Sequence, residues 1–175
     1  MRSATFAAAA ILALLGTVIS AQSVTYDFDR AANFSKFRTY AWTRGTVLPD
    51  ELNHARVVRA IENQLAAKGF TRVEAKANPD LLVAYHASFD RNLRIDGYAS
   101  GWGGPRFGGL RSGTATTREI LTGTLVIDML DASTEKIVWR GLASADLDTS
   151  AKPEKREKNI NKAADKLFKN YPPKQ

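Results

Sequence analysis

Gly123-Thr-Leu-Val-Ile-Asp-Met-Leu-Asp-Ala-Ser-Thr-Glu-Lys-Ile-Val-Trp-Arg-Gly141 reads as two apolar strands joined by a short polar turn. Leu125, Ile127 and Met129 alternate with Thr124, Val126 and Asp128, and after the turn Ile137 and Trp139 alternate with Val138 and Arg140. That is the two-residue period of a pleated strand, so a β-hairpin is predicted at the centre of the fold. Between the arms, Asp131-Ala-Ser-Thr supplies polar side chains of the kind that bond the local backbone and fix a tight connection.

Working outward, Ile120-Leu121 lead into the first arm, and the second arm continues through Leu142-Ala143-Ser144-Ala145-Asp146-Leu147. Upstream, Asn78-Pro79-Asp80 predicts a turn that introduces a second strand, Leu81 to Phe89, whose residues 81, 83, 85, 87 and 89 share one apolar face. Ser23 to Asp29 and Thr39 to Trp42 read as two further strands, reached through Asn33-Phe34-Ser35-Lys36-Phe37. Pro49-Asp50 offers a helix start, with Val58, Ile61 and Leu65 on one buried stripe flanked by Ala55 and Glu62. Gly69-Phe70 suits a left-handed cap residue followed by an apolar contact back onto the last turn. Within Pro153 to Tyr171, Ile160, Ala163, Ala164, Leu167, Phe168 and Tyr171 recur at helical spacing, and Pro172-Pro173 stop that helix.

These elements predict an α+β fold: one domain, a mixed and mainly antiparallel sheet, and two amphipathic helices packed on one face, since each helix has a single apolar stripe to bury. The expected core is Tyr40, Trp42, Val58, Ile61, Leu65, Val83, Tyr85, Leu125, Ile127, Trp139, Leu167 and Phe168. A glycine-rich loop is expected at residues 91–117, because seven of the 12 glycines fall between Gly97 and Gly113, interleaved with Tyr98, Trp102, Arg106, Phe107 and Arg111. Such a run packs no core of its own, as glycine is entropically costly to fix.

The N-terminus places Arg2 before an apolar run from Phe6 to Ile19 and then Ser20-Ala21, the order of a secretory signal peptide over residues 1–21. Cleavage there leaves residues 22–175 as the domain. The chain has no cysteine, so disulfides, thiolate ligands and a cysteine nucleophile are excluded, and so is a lipid anchor built on cysteine. The expected location is therefore the periplasm or the exterior. Of the net charge of +7, residues 152 to 174 carry +5, from eight basic residues against Glu154, Glu157 and Asp165. A basic end of this kind attracts anionic surfaces, although a charged helical face also serves plain solvation.

Motifs of catalysis are missing. His54 and His86 are the only histidines, and neither has a second one at i+4, so no metal site or cofactor is expected. Gly97-Tyr-Ala-Ser-Gly101 and Gly109-Leu-Arg-Ser-Gly113 place serine at the wrong spacing for a nucleophile elbow. Asp128, Asp131 and Glu135 cluster about the hairpin turn and would be the residues of an acid/base pair or cation site; turn chemistry and a solvated sheet face explain them more simply.

Several segments together carry a family likeness: Val24-x-Tyr-Asp-Phe-Asp29, Phe34-Ser-x-Phe-x-Thr-Tyr-x-Trp42, Asn78-Pro-Asp-Leu-Leu-Val83, Gly123-Thr-Leu-Val-Ile-Asp128 with Asp131-Ala, Val138-Trp-Arg-Gly141 and the terminal Phe168 to Pro173. In order and spacing they resemble the DUF4136 family over nearly the whole mature chain. The resemblance implies a bacterial cell-envelope protein with no agreed enzymatic activity. Many members look like lipoproteins, a feature this cysteine-free chain lacks. The expected function is that of an exported, non-catalytic binding or assembly module; the alternative is a hydrolase or other enzyme using carboxylates near Asp128. The candidate binding residues are Tyr98, Trp102, Arg106, Phe107 and Arg111, because aromatic side chains give large contact area at low entropic cost. The expected partner is an envelope protein, a glycan or an anionic membrane surface. Export argues against nucleic acid, despite the loop's likeness to segments that bind single strands.

Overall fold

A computed structural model describes residues 23–99 and 113–174. Six strands form one sheet in the order β1-β6-β5-β4-β2-β3: β1 (Ser23–Phe28), β2 (Thr39–Trp42), β3 (Thr71–Arg72), β4 (Leu81–Ala99), β5 (Gly113–Asp131) and β6 (Lys136–Leu147). Helix α1 (Glu51–Ala67) lies between β2 and β3, and α2 (Pro153–Phe168) follows β6. The β4–β5, β5–β6 and β1–β6 pairs are antiparallel, whereas β2 runs parallel to both β3 and β4. Parallel neighbours need a crossover, and α1 supplies it. The architecture is the mixed α+β single domain expected.

The alternate residues of the central strands bury one face. Leu81, Val83, Tyr85, Ile127, Met129 and Trp139 join Ile61 and Leu65 of α1 and Leu167 and Phe168 of α2 in a single core. Trp42, Val58 and Leu125 pack against that core half-buried, while Phe34, Phe37 and Tyr171 lie within it. Phe34 and Phe37 stand outside any long periodic run, so no strand or helix pattern pointed to them, whereas Tyr171 continues the helical spacing of Ile160 to Phe168 just past the end of α2. Trp139 stacks on Phe168 at 5.5 Å between ring centroids, Tyr171 meets Trp139 edge-on at 5.4 Å, and Phe34 meets Tyr171 at 6.0 Å. Phe28 reaches Phe34 at 6.1 Å, so one aromatic cluster joins β1 to the segment after α2.

Local chemistry sets the ends of the elements. Asp50 caps α1 by accepting from the backbone N–H groups of Leu52 and Asn53. At the other end Gly69 adopts φ +83°, and Gly69 and Phe70 donate back to the carbonyls of Ala66 and Leu65, the left-handed closure expected from Gly69-Phe70. The turn at Asn78-Pro79-Asp80 does more than reverse the chain. The Asp80 carboxylate accepts from the backbone N–H groups of Arg38 and Thr39, each at 2.8 Å, and from the Thr39 hydroxyl at 2.9 Å, which aligns β2 beside β4. Those donors, the Arg38 N–H first, hold the Asp80 carboxyl below its ordinary pKa.

Two expectations are corrected by the pairing. Met129 pairs with Trp139 but Leu130 pairs with Ile137, so Val138 is the extra residue of a β-bulge. The bulge turns Val138 into the core and leaves Ile137 at 43% exposure, the reverse of simple alternation. Beyond the turn, β4 and β5 stay paired as far as Ala99 and Gly113, so residues 91–99 and 113–117 belong to strands, not to the expected loop. The ladder joins backbone groups, and it continues past the point where the side-chain pattern ceases to look like a strand.

Two substitutions test the core. Trp139→Ala is expected to lower the free energy of unfolding in urea by about 3–5 kcal/mol, the usual cost of emptying a fully buried aromatic site. Tyr171 is 2% exposed and its hydroxyl has no hydrogen-bond partner among the described residues. Burial accordingly pushes its pKa far up. Tyr171→Phe is therefore expected to leave stability unchanged or raise it by up to about 1 kcal/mol, since it removes an unpaired polar group and keeps the ring.

Candidate functional site

Of the candidate contact residues, Tyr98 lies on β4 opposite Thr114 of β5. Trp102, Arg106, Phe107 and Arg111 lie outside the described residues.

The three carboxylates near the turn do not form one site. Asp131 closes the turn, accepting from the Ser133 N–H and hydroxyl, and its second oxygen accepts from Lys36 Nζ at 2.7 Å. The Lys36 bond first, and the Ser133 hydroxyl next, hold the Asp131 carboxyl down at about 2. Glu135 is exposed and takes the left-handed position of the turn, φ 55°. Asp128 is on the face opposite Ile127 and Met129, as its parity requires, yet it is only 4% exposed and not solvated. Arg140, its neighbour on β6, covers it with a two-point ion pair: Nε donates at 2.5 Å and Nη2 at 2.7 Å. His86 Nε2 stands 3.6 Å from the same carboxylate. Among the described residues no group of three or more His, Cys, Asp or Glu side chains is placed to hold a metal ion.

A concave feature among the described residues lies elsewhere, where the chain leaves β2 and runs along β4 before entering α1. Thr43 N–H donates to the Val83 carbonyl at 2.8 Å, and Ala87 N–H donates to the Thr46 carbonyl at 2.9 Å. Side chains of β4 hold the rest of this strap: Thr46 N–H donates to His86 Nδ1 at 3.1 Å, and Leu48 N–H to the Tyr85 hydroxyl at 3.3 Å. Gly45 is required by proximity, because a Cβ there would fall 2.0 Å from the Tyr85 carbonyl oxygen. Between strap, α1 and β3 opens a cleft of about 250 Å³ lined by Trp42, Thr43, Gly45, Val47, His54, Val58, Arg72 and Tyr85.

The cleft brings together residues far apart in sequence. Trp42 and Tyr85 meet edge-on, with ring centroids 6.4 Å apart. The Tyr85 hydroxyl is hydrogen-bonded to His54 Nδ1. Burial raises the Tyr85 pKa, opposed by the Leu48 N–H, so the phenol keeps its proton at neutral pH. Glu62 anchors the far wall, accepting from Trp42 Nε1 at 2.9 Å and from Arg72 Nη1 at 2.7 Å. Sequence reasoning assigned Trp42 and Tyr85 to the core and His54 to a structural role, readings that conceal that these three groups, with Arg72, border one space. The only signal was an aromatic strand followed closely by a glycine, Trp42-Thr-Arg-Gly45.

Two measurements check this electrostatic picture. Arg140→Met leaves the buried Asp128 charge unpaired and is expected to cost about 1–3 kcal/mol in urea unfolding. Adding Asp128→Asn to it is expected to recover part of that loss, which a double-mutant cycle reads directly. Asp131 has a lowered carboxyl pKa in the fold, about 2 against 3.8, so its stabilisation is complete above about pH 4 and disappears as pH falls toward 2. With Lys36 half exposed to solvent, the pH-dependent part is about 1–2 kcal/mol. Asp131→Asn is expected to flatten the stability profile over that window by this amount.

Residues 24–173 match the family described as "Domain of unknown function (DUF4136)". Among solved structures the chain is similar to a DUF4136 family protein from Bacteroides thetaiotaomicron, at 17% identity and a TM-score of 0.54, over 86% of this chain and 96% of that one. It is also similar to a PDZ domain protein from Parabacteroides distasonis, at 17% identity and a TM-score of 0.56, over 88% of this chain and 37% of that one. The chain thus spans little more than a third of that larger protein's length. The PelC dodecamer from Paraburkholderia phytofirmans matches at 11% identity and a TM-score of 0.54, over 89% of this chain and 100% of that one. At such identities the likeness is one of fold. No curated protein matches the chain. The family match covers both helices and all of the sheet but Ser23, and the segments that carried the resemblance all fall inside it: the chain belongs to the DUF4136 family.

Proposed function

We propose that this chain is an exported binding or assembly module of the cell envelope, acting in the periplasm or outside the cell, and that the cleft between the strap and α1 is its binding site. One observation carries the reading: the cleft is walled by aromatic and aliphatic side chains with a few polar groups converging on it, and the Glu62 carboxylate at its far wall is already taken up by Trp42 and Arg72. That is the composition of a recognition pocket. Of the carboxylates near Asp128 that an acid/base mechanism would use, the two that are buried are committed, Asp128 to Arg140 and Asp131 to Lys36 and Ser133, while Glu135 is exposed on the turn.

Export rests on the N-terminal order of Arg2, the apolar run and Ser20-Ala21. Among the described residues no helix is long and apolar enough to cross a membrane. The similar fold of PelC occurs as a dodecamer, which supports keeping assembly beside ligand capture in this reading. The hairpin end with Tyr98, Trp102, Arg106, Phe107 and Arg111 is proposed as a second contact region.

Site-specific photo-crosslinking in intact cells tests the reading. A photoreactive residue at Val47, 54% exposed on the cleft wall, is expected to capture a defined envelope component. A residue at Thr149, in the exposed loop before α2, serves as the control and is expected to capture none. Capture only from Trp102 would move the contact from the cleft to the hairpin end. Equal, nonspecific capture from all three positions would contradict a binding role.

A further inference from the structure

The hydrogen bonds around the cleft also define what it selects, and this step rests on the binding reading above. The Tyr85 oxygen already accepts from Leu48 N–H. The arrangement that leaves no hydrogen idle has the phenolic O–H donating to His54 Nδ1, which puts the imidazole hydrogen on Nε2. On the opposite wall, Arg72 gives Nη1 to Glu62 and is 60% exposed, so the rest of its guanidinium, with five N–H donors in all, remains open to solvent. Trp42 Nε1 is occupied by Glu62. The side-chain polar groups left over for a ligand are therefore two donors, the neutral His54 Nε2–H and the cationic Arg72, and the Thr43 hydroxyl, which can donate or accept, beside the aromatic corner of Trp42 and Tyr85 and the aliphatic walls of Val47 and Val58.

We infer that the cleft binds a small organic anion: a flat apolar body about the size of one ring, bearing a carboxylate. The ring rests against Trp42, Val47 and Val58, and the carboxylate oxygens accept from the Arg72 guanidinium and the His54 imidazole. A guanidinium offers the paired geometry that a carboxylate fits, and the bond is charge-assisted. The volume, about 250 Å³, matches a body of that size. Pockets for drug-sized ligands begin at about 300 Å³.

Benzoate is the probe, with benzyl alcohol and acetate as controls for the charge and for the ring. In ¹H–¹⁵N spectra of the full chain, benzoate is expected to shift the Trp42 indole N–H and the Gly45 amide saturably at millimolar concentration. Each control is expected to bind at least about tenfold more weakly. Arg72→Met, at an exposed position that preserves the fold, is expected to weaken benzoate about tenfold and leave benzyl alcohol unchanged. Benzyl alcohol binding as tightly as benzoate, no saturable shift with benzoate, or an Arg72→Met variant that still prefers benzoate would each overturn the inference. If crosslinking from Val47 stays specific in those cases, only the ligand class fails; if it is lost too, the binding reading fails with it.

Discussion

Trp139 lies where the sheet, α2 and the end of the chain converge. Its ring fills the space between β6 and Phe168, and Tyr171 closes over its edge. Phe34 and Phe28 extend the same aromatic contact to β1 at the sheet's margin. A β-sheet with one apolar face must cover it, and here the cover is two single-striped helices plus a set of aromatic rings from short segments. The cluster thus draws on both ends of the domain, with β1 joined to it at the margin through Phe28 and α2 at its centre through Phe168. The bulge at Val138 is part of this arrangement, since it adds an inward-facing apolar residue immediately before Trp139.

With that face closed, the margin of the core is left to form the cleft. The strap Thr43–Leu48 is held to β4 by backbone bonds at Thr43 and Thr46 and by side chains of His86 and Tyr85. Both histidines thus act through their Nδ1 atoms as fixed partners of this region, one for a backbone N–H and the other for the Tyr85 hydroxyl. On the other side of the sheet the Asp128–Arg140 pair satisfies a buried carboxylate without apolar cover. The two faces are thereby stabilised differently, one by packing and the other by cross-strand polar pairs such as Asp128–Arg140 and Thr124–Ser144.

Much of the fold was legible along the chain. The two-residue period of Leu125–Met129 and Leu81–Phe89 and the stripe of Ile160–Phe168 reported strands and helix correctly, because side-chain alternation follows backbone geometry directly. Asp50 and Gly69 marked both ends of α1 for equally local reasons. Ile137 and Val138 were misplaced because a bulge is invisible to alternation, and the length of β4 and β5 was underestimated because glycine hides strand pairing that depends only on the backbone. Asp128 was assigned to the correct face but the wrong environment. Its burial comes from Arg140, which is twelve residues away along the chain and adjacent across the ladder.

By itself, then, the sequence determined the class of fold, the positions of the hairpin and helices, and the closed face of the sheet, which follow from periodicity and turn chemistry within short windows, while the family followed from the resemblance of several segments in their order along the chain. Tertiary structure decided which aromatics form the centre of the core, which carboxylates are already paired, and that Trp42, His54, Arg72 and Tyr85 border one cleft. Those four positions come from β2, α1, β3 and β4, and no local pattern links them. They meet because the parallel placement of β2 and β3 relative to β4 requires α1 to cross over the sheet. A crossover of this kind is a property of chain topology, and so the site it creates has no signature along the chain.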